Sequence, residues 1–145
     1  MITGLSLDQS TDFVSEFDPD REKPDGNPTK FKLMTLDSRV MGHLRDLATK
    51  LKVNPNAGPD DDVETTVAMN EVAFQTVQFG CGGAAPFDDQ DGNDIPWRTM
   101  KRNLGGKSYE IASDTVINRL PLRVISELAV ELRKINNLGE DEGNE

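Results

Sequence analysis

The stretch Pro121-Leu-Arg-Val-Ile-Ser-Glu-Leu-Ala-Val-Glu-Leu-Arg-Lys-Ile135 decides how the rest of the chain is read. Val124, Ile125, Leu128, Ala129, Leu132 and Ile135 recur at three- and four-residue spacing, which places them on one face of an amphipathic helix. Pro121 suits the first helical position because its missing N–H would find no partner there in any case. Arg133 and Lys134 sit where the helix dipole favours cations. A helix with such a stripe needs a core to cover it, so the preceding residues must supply one.

Working back, Ser113 is a candidate N-cap for a short turn holding Val116, Ile117 and Leu120, and Ser108-Tyr-Glu-Ile111 reads as a strand. Trp97 to Lys107 carries Arg98, Lys101, Arg102 and Lys107, the densest positive stretch. Gly80-Cys-Gly-Gly-Ala-Ala-Pro86 and the acidic run to Pro96 read as a long loop, because glycines, prolines and carboxylates are poor strand and helix formers. Gly80 is suited to a left-handed residue closing the helix before it. That helix begins near the carboxylates Asp60-Asp-Asp62, with an inner face of Val63, Val67, Phe74 and Val77.

Asp37 is a good N-cap for a helix over 38–52, whose apolar positions are Val40, Met41, Leu44, Leu47, Ala48 and Leu51; turn chemistry over 54–59 follows it. Two alternating stretches, Thr11 to Phe17 and Lys30 to Leu36, predict a hairpin whose tip over 18–28 is rich in Pro, Asp and Gly. The expected fold is therefore α+β: an N-terminal β-hairpin, a small bundle of about three to four helices and a long acidic loop. One domain over 1–138 is expected, with the 18–28 tip and the 80–96 loop mobile and a disordered acidic tail over 139–145.

The 145 residues carry a formal charge of −10, which opposes binding to a phosphate backbone, since a nucleic-acid footprint needs clustered Lys and Arg. No apolar run approaches the roughly 20 residues that span a bilayer, and no apolar signal segment follows a basic start, so neither nucleic acid nor membrane is an expected partner and a cytoplasmic setting is expected. The lone Cys81 excludes an intramolecular disulfide.

Motifs for chemistry fail one by one. Gly105-Gly-Lys-Ser108 resembles the end of a phosphate loop, but Lys101 stands where its first glycine belongs, and a strand follows instead of a helix. Aligning Gly92 with the invariant glycine of a calcium loop puts Phe87 and Arg98 at the two strongest ligand positions. His43 and Cys81 are the sole imidazole and thiol, too few for a zinc site. The expectation is a protein with no catalytic residues, cofactor or metal. Phe87 and Trp97, which flank the acidic loop, are candidate partner anchors, with the alternative that they pin the loop onto a core short of aromatics.

Five stretches carry a resemblance: Ile2-Thr-Gly-Leu-Ser-Leu-Asp8, Leu36-Asp-Ser-Arg-Val40, Asp91-Gly-Asn-Asp-Ile-Pro-Trp97, Asn103-Leu-Gly-Gly-Lys-Ser-Tyr109 and Leu120-Pro-Leu-Arg-Val-Ile-Ser-Glu-Leu128. Together they resemble small proteins of tailed bacteriophages, namely tail assembly chaperones and closely related morphogenesis proteins. The chain departs from that pattern at Gly82-Gly83-Ala84-Ala85, where a Gly-Trp pair is expected. The resemblance implies a chaperone in the host bacterial cytoplasm that binds the tape-measure and tail-tube proteins during assembly. Leu122, Ile125, Leu128 and Leu132 would then form its partner-binding face. Two other readings stand beside it: a structural component of the virion, such as a connector, tail or decoration protein, and an acidic inhibitor of a host nuclease or defence complex. The sequence leaves the oligomeric state open.

Overall fold

A computed structural model describes residues 1–52 and 61–137, with side-chain surroundings for all of these except 51, 52 and 61–68. The element order is β1 (Ser10–Val14), β2 (Lys30–Met34), α1 (Ser38–Lys52), α2 (Asp61–Gly80), β3 (Cys81–Ala85), β4 (Thr99–Leu104), β5 (Lys107–Ala112), α3 (Asp114–Ile117) and α4 (Leu122–Ile135). The strands form a three-stranded sheet in the order β1-β2-β3 and a separate two-stranded β4-β5 sheet. The expected turn over 54–59 and tail over 139–145 lie outside the described residues, as do the side chains of Leu51, Val63 and Val67.

The hairpin-plus-bundle expectation is thus corrected: the fold is mixed α+β, with two sheets and four helices. The decisive difference is Cys81–Ala85, read as loop. It pairs antiparallel with β2, setting Phe31 against Ala84 and Leu33 against Cys81, with an irregularity at Lys32/Leu33. Its Cys-Gly-Gly-Ala-Ala sequence lacks the β-branched and aromatic residues that mark strands, so local preference gives no sign of it. Tertiary packing makes it a strand, because it begins directly where α2 ends and packs against both β2 and β5.

Gly80 is likewise corrected. Its backbone is not among the positive-φ positions, so conformational freedom is not its role. A Cβ there would sit 2.6 Å from Cδ2 and 2.7 Å from Cδ1 of Leu132, itself fully buried, so the absent side chain lets α4 approach the end of α2. Around this contact Leu128, Leu132, Ile125 and Ala129 pack with Val77, Phe31, Leu33 and Cys81 in one cluster. Full burial of each leucine contributes roughly 1.5–3 kcal/mol. A smaller cluster of Leu36, Val40 and Leu44, joined by Phe79 and Tyr109, seats α1.

Several local expectations match the structure. The N–H of Val40 donates to Asp37 Oδ1 at 2.9 Å, and that of Val116 donates to Ser113 Oγ at 3.2 Å, so both caps are made. Phe31 and Leu33 are buried on alternate positions of β2. Pro121 is the N-cap of α4 and not its first helical residue, so the helix begins at Leu122, one residue later than expected. The helix stops at Asn136, followed by Asn137 at φ 55°. Gly105 and Gly106, at φ 55° and 84°, form the two-residue β4-β5 turn, a geometry that strongly favours glycine at both positions. The phosphate-loop fragment is this turn.

Asn136 also joins three elements. Its Oδ1 accepts the buried Leu36 N–H at 2.8 Å, while its Nδ2 donates to the carbonyls of Leu132 at 3.0 Å and Met34 at 3.3 Å. We expect Asn136→Ala to strand the Leu36 N–H and lower unfolding stability by about 1–3 kcal/mol. Urea denaturation checks this, with the midpoint falling and the slope unchanged.

Candidate interaction surface

On α4 the apolar stripe faces inward. Ile125, Leu128 and Leu132 lie in the core, so of the four residues assigned to a partner face only Leu122 is exposed. The outward face of the same helix instead borders a shallow groove of about 590 Å³ against β1 and the start of the hairpin tip. Phe13, Phe17 and Val130 supply its apolar surface. Arg21, Arg123 and Lys134 oppose Glu16, Glu127 and Glu131, so the groove is balanced in charge although the chain is strongly acidic.

Local bonding shapes this groove. The Glu16 N–H donates to Glu127 Oε2 at 2.9 Å, tying the end of the β1 segment to α4. The other oxygen, Glu127 Oε1, is buried without a hydrogen-bond partner. Arg123 lies 4.9 Å from the centre of the Phe17 ring, and the Phe17 N–H donates to Ser15 Oγ at 3.0 Å, which fixes the ring beside the helix. Within the tip, Asp18 Oδ1 accepts from the Asp20 N–H and Oδ2 from the Thr29 N–H, closing the turns across its base. The sequence missed this surface because Phe17 counts as strand alternation and Val130 falls outside the apolar stripe. Val130 was the available signal, as an apolar residue on the polar face of α4.

Phe87 and Trp97 are half-buried and pack against the main core, away from the residues that line the groove. The indole Nε1 of Trp97 is buried without a partner. The acidic loop between them folds on itself. Asp89 Oδ1 accepts the N–H groups of Asp91 and Asn93, both at 2.9 Å, and Ile95 N–H donates to the Phe87 carbonyl at 2.8 Å. The Asn93 and Asp91 N–H bonds hold the Asp89 carboxyl below the usual carboxylate range, with burial opposing them. Among the described residues, no ion pair joins this loop to Arg98, Lys101, Arg102 or Lys107. Lys107 instead meets Asp37 at 3.0 Å.

Asp37 is the most heavily engaged carboxylate described. Besides capping α1, it accepts the Tyr109 hydroxyl at 2.7 Å and the Lys107 ammonium at 3.0 Å, clamping α1 to β5. Burial pushes its carboxyl up, yet the bonds from Val40, Tyr109 and Lys107 outweigh burial and hold it below its ordinary value. Beside the clamp, Phe79 meets both Tyr109 and His43 edge-on, and His43 Nε2 is 2.7 Å from Gln75 Oε1. The contacts of this cluster join helices to the second sheet, a structural role.

Cys81 is buried, and its thiol donates to the Gly83 carbonyl at 3.4 Å. Burial pushes this thiol up to about 11, against smaller opposing effects of backbone hydrogen bonds. Among the described residues, no group of three or more His, Cys, Asp or Glu side chains is placed to hold a metal ion, and no helix is long and apolar enough to cross a membrane. No family model, curated protein or solved structure matches the chain.

Two outcomes follow from these ionisations. The lowered Asp37 pKa adds stability that is fully present above the unfolded value near ~3.9 and is lost as pH falls through the folded value. The stability advantage of the native chain over Asp37→Asn should therefore shrink below about pH 4, as measured by denaturant midpoints across pH. Iodoacetamide at neutral pH should leave Cys81 unmodified in the folded protein and alkylate it once urea unfolds the chain, with intact mass as the readout.

Proposed function

We propose that this chain is a protein-binding module acting as a tail assembly chaperone of a tailed bacteriophage, engaging the tape-measure and tail-tube proteins in the host bacterial cytoplasm. The observation that carries the binding role is the groove beside α4, where Phe17 and Val130 remain exposed between cations and carboxylates. The phage role is supported by the sequence resemblance of the five motif stretches.

The groove suits one face of a helical partner. α4 has 14 residues, roughly 21 Å of helix, and a partner helix lying along it would present apolar side chains at i, i+3 or i+4, and i+7. Phe17 and Val130 take the apolar groups. The balanced charges take Lys, Arg, Asp or Glu flanking them. An interface of this extent belongs to the small class below about 1,200 Å², which favours reversible binding, as a chaperone that must let go requires. The net charge of −10 keeps such a complex from aggregating while the partner's apolar stripe is covered.

The test is mass spectrometry of purified particles together with a pull-down from infected cells using the tagged chain. We expect tape-measure protein in the pull-down and none of this chain in particles, with Val130→Asp reducing the capture at least about tenfold, the equivalent of ~1.4 kcal/mol. Several copies per particle would make it a structural component, and capture of a host nuclease instead would make it an inhibitor.

A further inference from the structure

The two-stranded sheet leaves one edge of β4 without a strand beside it. Gly105 and Gly106 make a two-residue turn, so the flanking pair of Leu104 and Lys107 is hydrogen-bonded, and the ladder alternates from there. Leu104, Arg102 and Met100 therefore aim their N–H and carbonyl groups at β5. At the far end of the same register the Arg98 carbonyl accepts the Ser113 N–H at 2.9 Å, which keeps that parity. Thr99, Lys101 and Asn103 aim their backbone groups the other way, and all three residues are exposed. Among the described residues, no backbone hydrogen bond from another segment reaches them.

Charge decides what such an edge accepts. Lys101 stands at its centre, between Arg98 and Arg102, in a chain of net charge −10. Glu110, opposite Lys101 in the register, accepts the Thr99 hydroxyl at 3.1 Å, and among the described residues Lys101 makes no ion pair. Arg102 is held over the Phe79 ring at 5.9 Å, so part of the positive field is fixed in place. Two copies pairing antiparallel about Lys101 would set lysine against lysine, which opposes self-association through this edge. A long polyanion such as nucleic acid would meet the carboxylates that outnumber cations over the whole chain. A short acidic strand meets neither cost.

We propose that the free edge of β4 binds an extended acidic segment of a partner protein, which adds as an antiparallel third strand with a carboxylate opposite Lys101. Main-chain bonds to Thr99, Lys101 and Asn103 supply the affinity, and the cations select the partner. None of these residues lines the groove beside α4, so the edge is a second surface and stands whether or not the groove takes a helix.

Amide-resolved NMR of the full chain tests this with a short peptide that alternates threonine and glutamate, beside a control peptide with lysine in place of glutamate. The glutamate peptide should slow amide exchange at Thr99, Lys101 and Asn103 and leave Met100, Arg102 and Leu104, already bonded to β5, unchanged. Lys101→Glu should weaken the glutamate peptide at least about tenfold and reverse the preference between the two peptides, since like charges across an interface reject the wrong partner. That reversal also reports a folded variant. A glutamate peptide that fails to bind, that binds without the alternating protection, or that binds Lys101→Glu equally well overturns strand addition. A single-stranded oligonucleotide that binds this edge more tightly than the glutamate peptide overturns the choice of a protein partner.

Discussion

The rest of the structure depends on the approach of Leu132 to Gly80. At that point the last residue of α2 has no side chain, the fully buried Leu132 of α4 fills the space, and β3 begins at the next residue. One contact thereby fixes a helix against a helix and a sheet against both. Leu128, one turn earlier on α4, extends the same packing, and Phe31 and Leu33 meet it from β2. Cys81 belongs to the same cluster, and the burial that pushes its thiol up comes from the same close packing.

Buried polar side chains set the orientation that the apolar contacts alone leave loose. Asn136 holds the end of α4 to β2 and to the residue leading into α1. Gln78 donates to the Ala112 carbonyl at 3.1 Å and to Asp114 Oδ1 at 2.9 Å, locking α2 to the end of the second sheet. Thr76 Oγ1 returns its proton to the Val72 carbonyl, so that a hydroxyl in the core is satisfied within its own helix. The Asn136 and Gln78 bonds join different elements and are directional, so a helix rotated by one residue would lose them.

What the sequence made legible was local. The caps Asp37 and Ser113, the alternation at Phe31 and Leu33, the stripe of α4 and the limits of α1 all follow from residues close in the chain. β3 was hidden because its pairing is supplied from some fifty residues away and its own side chains carry no strand signal. On α2, Val77 was legible, whereas Val72 and the buried Gln75, Thr76 and Gln78 were not, since a helix enclosed on several sides has no single apolar face. The groove was hidden for the opposite reason. It is assembled from residues of β1, the hairpin tip and α4 that no single periodic pattern connects, and the stripe that pattern did find is committed to the core.

The direct passage from α2 into β3 leaves no slack between residues 80 and 81. Side chains alternate across a strand with a period of two, so one residue gained or lost at this junction would turn Cys81 outward and reverse every later position of the strand. The helix could not absorb the change by sliding, because Gly80 must stay opposite Leu132. Loops elsewhere can vary in length, but this seam can change only in composition, and a relative that retains the fold should keep the spacing between its close-contact glycine and its buried strand residue.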